Sequence, residues 1–214
     1  SGFAGAGLAI WGENMVPRDW YVGNVDRFGG TFLFLVGTAI VAAITLIFLR
    51  IPNLTKAQLE GEQRPMLEIM KQPVFIAAAV SATVAQCVMN FLMTATPIAM
   101  ISICGHSFGA TAGVIAWHTF AMFAPGVFTG FLVRRFGAVT IILIGLLLEA
   151  ACIGVALSGV KVIDFWLSMF LLGIGWNFTF TAATSLMTTA YTPSERAKTQ
   201  GMMNQIIYTV VACG

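Results

Sequence analysis

No Asp, Glu, Lys or Arg occurs between Lys71 and Arg134, and this charge-free stretch of 62 residues is the strongest constraint on the fold. A membrane-spanning helix needs about 20 apolar residues, so the stretch is long enough for two spans. The whole chain is 58% hydrophobic and 9% charged, whereas an average soluble domain is roughly 25% charged. We therefore predict an all-α, polytopic helical membrane protein.

Other stretches with few or no charges predict further spans on both sides of that one. The predicted spans are Phe28–Leu49, Val74–Ile101, Gly109–Val133, Ala138–Ser158 and Val162–Ala190, with a sixth beginning near Gly201. We interpret residues 1–27 as the end of a preceding span and a loop, residues 28–49 as a span, and residues 50–71 as a long loop. Residues 72–214 then form a truncated bundle, so we expect a fragment of a larger protein.

Counts of Lys and Arg in alternate loops predict the orientation of these spans. One set of loops carries eight basic residues: Arg50, Lys56, Arg64, Lys71, Arg134, Arg135, Arg196 and Lys198. The other set carries only three: Arg18, Arg27 and Lys161. The first set is predicted to be cytoplasmic, which makes residues 50–71 a cytoplasmic loop and places the protein in a plasma membrane, most simply a bacterial inner membrane. Because topology and the lipid bilayer explain the basic residues, we predict no nucleic-acid partner.

The four cysteines are scattered singly, at Cys87, Cys104, Cys152 and Cys213. No Cys-x-x-Cys pair and no Cys/His spacing typical of a metal site accompanies them. We therefore predict neither a metal, nor a cofactor, nor a disulfide framework.

A short string occurs twice, 87 residues apart. Asn90-Phe91-x-x-Thr94-Ala95 is repeated as Asn177-Phe178-x-x-Thr181-Ala182. A polar amide deep in an apolar segment is costly unless it has a partner, so it usually has a function. Two copies favour a duplicated architecture with one site between them. The alternative is a chance match among residues that are common in this chain.

Polar residues extend both copies along one helix face. Gln86, Asn90 and Thr94 are spaced four residues apart and share a face. Asn177 and Thr181 begin a similar stripe, and Trp176 and Phe180 flank Asn177 where they could stack on a planar ligand. Such a stripe faces protein or a water-filled cavity rather than lipid. The predicted substrate-binding residues are Gln86, Asn90, Thr94, Trp176, Asn177 and Thr181; the alternative role is polar packing between helices.

His118 and Glu149 are ionisable side chains that lie near the middle of predicted spans, whereas Asp164 lies at the start of one. A charge at the centre of a bilayer costs about 2.5–3.5 kcal/mol on insertion scales, so Glu149 is expected to be protonated or paired. Histidine exchanges protons readily near neutral pH. We predict that His118 and Glu149 carry proton coupling, with a buried hydrogen-bonding role as the alternative for Glu149.

Two loop strings resemble signatures of the major facilitator superfamily. The string from Gly130 to Gly137 is similar to its Gly-x-Leu-x-Asp-Arg-x-Gly motif. Four positions match, Gly130, Leu132, Arg135 and Gly137, while Arg134 replaces the Asp. The second string, residues 193–197, resembles the loop between the tenth and eleventh helices of that superfamily. By this resemblance the spans correspond to helices six to ten and part of eleven, the C-terminal half of a transporter.

The resemblance implies a bundle of inverted three-helix repeats with the twin strings on its seventh and tenth helices, which line a central cavity. It also implies a gating loop at Gly130, Arg134, Arg135 and Gly137. The expected function is secondary active transport of a small solute by alternating access, proton-coupled and completed by a missing N-terminal half. Alternatives are a non-transporting sensor or scaffold, or drug efflux rather than uptake. An enzyme is disfavoured because no catalytic set of residues occurs in the spans.

Overall fold

The computed structural model describes residues 29–49 and 63–213, and the chain divides into two compact units, residues 1–54 and 55–214. In the first unit, helix α1 runs from Gly29 to Phe48. Its 20 residues give a length of about 30 Å, the thickness of a hydrocarbon core. Helix α1 therefore matches the span predicted over Phe28–Leu49. The loop predicted over residues 1–27 and most of the loop over residues 50–71 lie outside the described residues.

The second unit is a bundle of helices. Its elements are α2 (Met66–Met70), α3 (Pro73–Ile98, continued by a π-helical turn, Ala99–Ile103), α4 (Phe108–Phe123), α5 (Gly126–Phe136), α6 (Ala138–Ala156), α7 (Val162–Met187), a 3₁₀ turn (Pro193–Glu195) and α8 (Arg196–Cys213). Over the part of the chain that the structure describes there is no strand, which confirms the predicted all-α class.

Three helices of this bundle are long and apolar enough to cross a membrane: α3 with its π-helical turn, α6 and α7. Helices α4 and α5 make a fourth span if the bent pair is counted as one. Helix α8 does not meet the same criterion because polar residues occupy its N-terminal half, among them Arg196, Lys198 and Gln200. Helices thus follow one another in the predicted order over the described residues, and the helix at the sixth predicted position begins five residues before Gly201. The assignment of α1 and α8 as spans stays a prediction.

Helix α7 occupies the centre of the bundle and contacts α3, α4, α5 and α6. Three side-chain contacts, running from the start of α3 to its end, show that α3 and α7 are antiparallel. Gln72 bonds to the carbonyl of Ala190, the side chains of Gln86 and Trp176 meet at mid-helix, and Thr96 contacts Met169. The two helices that carry the twin strings therefore run in opposite directions and pack directly on each other.

Glycines allow α7 to approach its neighbours closely. A Cβ atom built on Gly145 of α6 would overlap the Thr179 hydroxyl and lie 2.8 Å from the Gly175 carbonyl oxygen. On the α4 side, a Cβ on Gly173 would lie 2.7 Å from the His118 carbonyl oxygen. Small residues at such crossings let helix backbones pack against each other in lipid. These contacts fix the positions of α4 and α6 on either side of α7.

Helices α4 and α5 are one predicted span broken by a bend of 42°. The break falls at Ala124 and Pro125, between the end of α4 and the start of α5. Proline has no backbone N–H and its ring clashes with the preceding turn, so it interrupts a helix. Pro125 therefore accounts for the break between α4 and α5.

At one end of the bundle, an ion pair between a partly exposed arginine and a buried carboxylate joins two loops that were predicted to be cytoplasmic. Glu195 is fully buried and accepts hydrogen bonds from the Arg64 guanidinium, with Nη2 to Oε2 at 2.7 Å and Nε to Oε1 at 3.0 Å. The backbone N–H groups of Arg64 and Thr192 also donate to this carboxylate, at 2.8 and 3.0 Å. Lys198 Nζ donates to the Arg64 carbonyl at 2.6 Å. The segment before α2 is thereby tied to the turn between α7 and α8.

The opposite end of the bundle brings together the other two loops. His106, in the loop after α3, bonds through Nε2 to the Val160 carbonyl at 2.8 Å, and Val160 precedes α7. Alternate loops therefore meet at the same end of the bundle, as the predicted topology requires. Which end faces the cytoplasm stays a prediction from the charge distribution.

Replacing Glu195 with Gln is expected to lower thermal stability at neutral pH by several degrees. The Arg64 guanidinium, helped by the Thr192 N–H, holds the pKa of the Glu195 carboxyl well below its ordinary value of 4.5. A lowered folded-state pKa stabilises the protein above the unfolded-state pKa, and that stabilisation declines progressively as pH falls from about 4.5 towards the lowered folded-state pKa. The measurement is the melting temperature in detergent from pH 7 to pH 3, where the difference between wild type and variant should shrink. Glu68→Gln, on the exposed face of α2, is the control and should change little at either pH; a constant difference across the range would contradict the prediction.

Candidate functional site

A polar and aromatic cluster lies where α3 and α7 pack together. The Trp176 indole Nε1–H donates to Gln86 Oε1 at 3.1 Å, and the Trp176 ring stacks on Phe180 with centroids 5.0 Å apart and planes 11° from parallel. Trp176 and Phe180 are four residues apart on α7, so the helix places them on one face. Gln86 and Trp176, two of the predicted substrate-binding residues, are thus brought into contact.

A cavity of about 200 Å³ adjoins this cluster between α7 and α8 and shares Phe180 with it. Its lining is Phe180, Thr184, Met187, Gln200, Met203 and Asn204. Gln200 also donates from Nε2 to the Tyr191 hydroxyl at 2.7 Å. The sequence analysis missed Gln200 and Asn204. Their signal was the four-residue spacing of two amides in an apolar chain, the same pattern that selected Gln86 and Asn90.

A second group of stacked rings lies nearer the start of α7. Trp166 stacks on Phe170 with centroids 5.1 Å apart and planes 6° from parallel. Trp117 of α4 meets Trp166 edge-on at 5.9 Å. The sequence analysis did not select these rings, because an aromatic residue in an apolar helix is an ordinary packing residue until its neighbours are known.

Asn90 and Thr94 lie away from the Gln86–Trp176 contact. They line a larger cavity of about 720 Å³ between α3 and the ends of α6 and α8, whose other lining residues are apolar apart from Cys87. The Thr94 hydroxyl donates to the Asn90 carbonyl of its own helix at 2.9 Å. The predicted stripe on α3 is therefore divided, with Gln86 facing α7 and Asn90 facing this cavity.

The 87-residue repeat gives this larger cavity a structural meaning. On α3 it is lined by Val88 and Leu92, which correspond through the repeat to Gly175 and Thr179 on α7. Those two α7 residues are the ones that pack against Gly145 of α6. By the predicted repeat, the cavity wall on α3 corresponds to a helix-packing face, so we place the candidate site at Gln86, Trp176 and the adjoining small cavity. Substrate roles for Asn90 and Thr94 stay predictions.

Asn177 is buried, with 5% of its surface exposed, and contacts the bend between α4 and α5. Its Nδ2 donates to the Met122 carbonyl at 2.7 Å, and its Oδ1 accepts from the Thr129 hydroxyl at 2.6 Å. Thr181, one turn further along α7, is half-buried. The structure does not bring Asn90 and Asn177 together as facing walls of one site, because Asn90 lines the larger cavity whereas Asn177 bonds to Met122 and Thr129. A direct substrate role for Asn177 and Thr181 stays a prediction.

His118 and Glu149 are both buried, on opposite sides of α7. His118 Nδ1 lies 2.7 Å from the Met169 carbonyl, which can only accept, so Nδ1 carries the hydrogen. Its Nε2 and both Glu149 carboxyl oxygens have no hydrogen-bond partner within the described residues. Glu149 lies against Gly175, near enough to Thr179 to interact electrostatically but not in hydrogen-bonding geometry. Neither residue lines the aromatic cluster or the cavity beside it.

The predicted gating loop joins α5 to α6. Gly137 has a φ of +86°, a left-handed conformation that glycine adopts without strain, and it ends α5. Arg134 and Arg135 are exposed, and the Arg135 guanidinium lies over the Phe136 ring at 5.8 Å. Gly130 is an exposed residue within α5. Among the residues that the structure describes, no acidic side chain pairs with either arginine; the ion pair at this end is Arg64–Glu195.

These features define a class of protein: a helical membrane bundle with a polar and aromatic site at the packed centre of its helices. Comparison with known sequences shows which family within this class the chain belongs to. The family model of the Major Facilitator Superfamily matches residues 2–213. The chain belongs to this superfamily, which confirms the family and fold class predicted from the sequence. The family is one of transporters rather than of enzymes.

Three relatives are similar to this chain. The riboflavin transporter RfnT of Brucella anthropi is 39% identical over 211 residues, covering 98% of this chain and 51% of the relative. The uncharacterized MFS-type transporter YddS of Bacillus subtilis is 30% identical over 89% of this chain and 47% of its own length. YdeG, a similarly named protein of that organism, is 36% identical over 65% of this chain and 33% of its own length. The chain thus spans about half or less of each relative. No solved structure matches it.

Proposed function

We propose that the full-length protein is a secondary active transporter that moves a small, planar, uncharged solute of the riboflavin type across the membrane by alternating access. The observation that carries this proposal is the Trp176–Phe180 stack, held by Gln86 beside a small polar cavity. The similarity to a riboflavin transporter over 98% of this chain supports the same substrate class.

The chemistry of the cluster fits a heteroaromatic ring that carries hydrogen-bonding substituents. Flat aromatic side chains bind planar rings by stacking. Because the Trp176 N–H donates to Gln86 Oε1, the Gln86 Nε2 group supplies the polar contact at the ring edge. Gln200, Asn204 and Thr184 offer donors and acceptors for a polar substituent in the adjoining cavity. No charged side chain lines this described cluster or cavity, which favours an uncharged solute.

We infer that His118 and Glu149 couple transport to protons without touching the solute. Both lie at interfaces of α7, with α4 and with α6, so a proton gained or lost there changes how α7 packs on its neighbours. His118 would take up the proton at Nε2, whose lone pair has no partner among the described residues. In the other role open to Glu149, it serves only as a buried hydrogen-bonding group.

We also infer the cellular setting from the sequence. The loops that together carry eight basic residues face the cytoplasm of a bacterial inner membrane. Residues 72–214 belong to the C-terminal half, residues 50–71 link it to an N-terminal half, and Gly130, Arg134, Arg135 and Gly137 form a loop that moves as the cavity opens and closes. The N-terminal half completes the site.

Reconstituted full-length protein is expected to accumulate riboflavin in proteoliposomes when an inward proton gradient, acidic outside, is imposed. A protonophore should abolish accumulation but leave exchange of labelled for unlabelled riboflavin intact. His118→Gln and Glu149→Gln are expected to lower gradient-driven accumulation at least 10-fold and to spare exchange. Full accumulation by both variants would contradict the proposal that His118 and Glu149 couple transport to protons. Binding of riboflavin without any movement would instead identify a sensor or scaffold, and accumulation only with the gradient reversed would identify efflux.

A further inference from the structure

The joint between α4 and α5 is held from outside by a side chain of α7. Asn177 Nδ2 donates to the carbonyl of Met122, in the last turn of α4, at 2.7 Å. The carbonyl can only accept, so this end of the Asn177 amide is its NH₂ group and the other end is Oδ1. Asn177 therefore presents a donor to α4 and an acceptor to α5, on either side of the 42° bend.

Asn177 Oδ1 and the Pro125 carbonyl compete for the single hydroxyl hydrogen of Thr129. The Thr129 hydroxyl of α5 lies 2.6 Å from Asn177 Oδ1 and 2.8 Å from the Pro125 carbonyl of its own chain segment. Both oxygens accept, and a hydroxyl has a single hydrogen, so Thr129 can donate fully to only one of them at a time. The site thus has two hydrogen-bonded states, one linking α5 to α7 and one closed within the helix.

Because the site is buried, its two hydrogen-bonded states differ in free energy. Thr129 is fully buried and Asn177 is nearly so. When Thr129 bonds to Pro125, its own hydroxyl is still satisfied but Asn177 Oδ1 loses its donor in an apolar interior, which is costly. The bent geometry is therefore favoured while Thr129 donates to Asn177.

We propose that Asn177 and Thr129 form a hydrogen-bond latch that sets the angle of the α4–α5 joint. With the latch closed, Thr129 donates to Asn177 and α5 keeps its direction; with it open, Thr129 donates to Pro125 and α5 is free to change direction. Asn177 is a positioning residue in this account, not a ligand of the solute. The angle itself does not depend on any transported solute; a part for the latch in the transport cycle rests on the proposed function.

The test measures the joint directly in full-length protein freed of native cysteines. Spin labels at Gly109→Cys on α4 and Phe131→Cys on α5, both exposed positions, report the distance across the bend by pulsed electron paramagnetic resonance. Thr129→Val and Asn177→Leu should each broaden the distance distribution and shift its mean. The double variant should equal Asn177→Leu, because Asn177→Leu already removes the bond to Thr129 together with the bond to Met122. Thr129→Ser, which keeps the hydroxyl, should restore the wild-type distribution.

Thr119→Val is the matched control. Thr119 also donates to the carbonyl four residues before it, Ile115, at 2.9 Å, but the structure gives it no bond to α7. Its distance distribution should equal that of the wild type, and an equal shift in Thr119→Val and Thr129→Val would overturn the proposal. Unchanged distributions in Asn177→Leu and Thr129→Val would also overturn it. If Asn177→Leu fails to fold, Thr129→Val with its serine rescue decides alone. Shifted distances in a protein that moves no riboflavin would support the latch and refute the proposed function.

Discussion

Gly145→Ala is expected to destabilise the bundle by roughly 3 kcal/mol, the upper part of the usual range for overpacking a filled interior. The added methyl would overlap the Thr179 hydroxyl and approach two backbone atoms, the Thr179 nitrogen at 2.7 Å and the Gly175 oxygen at 2.8 Å. Backbone atoms cannot move aside as a flexible side chain can, so α6 and α7 must separate. The measurement is the melting temperature and the monodisperse fraction of full-length protein in detergent.

Gly154→Ala on the same helix is the control for this prediction. No atom of a neighbouring helix lies within 4 Å of a Cβ atom at Gly154, and replacing glycine with alanine in a helix usually stabilises it by about 1 kcal/mol. We expect Gly154→Ala to match or exceed the wild type in thermal stability. Equal melting temperatures for Gly145→Ala and Gly154→Ala would show that α6 and α7 are not packed through Gly145.

Trp176→Ala is expected to weaken riboflavin binding by roughly 10- to 100-fold, the loss associated with removing one stacking ring beneath a planar base. The substitution removes the indole face, the partner of the Phe180 ring and the N–H that bonds to Gln86. Binding of riboflavin to purified full-length protein, followed by quenching of riboflavin fluorescence, measures the loss. Trp176→Phe keeps a ring but no N–H and should recover most of the affinity.

Trp166→Ala separates this site from the other aromatic group. Trp166 also stacks on the ring four residues further along α7, Phe170, so the substitution removes a comparable stack at a different depth. We expect it to leave riboflavin affinity within about 2-fold of the wild type. A larger loss for Trp166→Ala than for Trp176→Ala would place the planar solute at the Trp117–Trp166 contact and remove the support for the site proposed at Gln86.

Particular residues show how far the sequence predicts this site. Gln86 and Trp176 were selected for their positions on polar and aromatic helix faces, and the structure places them in hydrogen-bonding contact. Asn177 was selected by the same reasoning, yet its amide bonds to Met122 and Thr129 at the bend. The periodicity of a helix indicates which residues share a face, but it does not indicate which neighbouring helix covers that face.

The Arg64–Glu195 ion pair is a second feature that the sequence did not predict and the tertiary structure decided. The string that contains Glu195 was noticed only for its resemblance to a family loop, and Arg64 was counted only for topology. The structure joins them across 131 residues of sequence, through a carboxylate that is fully buried. No local sequence pattern predicts such a pair, because Arg64 and Glu195 are brought together only by the packing of α3, α7 and the turn before α8.

The sequence by itself determined the class of this protein, the order of its spans and the ends at which alternate loops meet. These follow from where charges are absent over some 20 residues and from the cost of leaving a charge in lipid, which depend on local composition. Tertiary structure alone decided which polar side chains contact one another, where the α4–α5 joint is held, and which glycines cannot be replaced. Those features depend on distances between helices that are far apart in sequence, set by packing of α7 against its four neighbours.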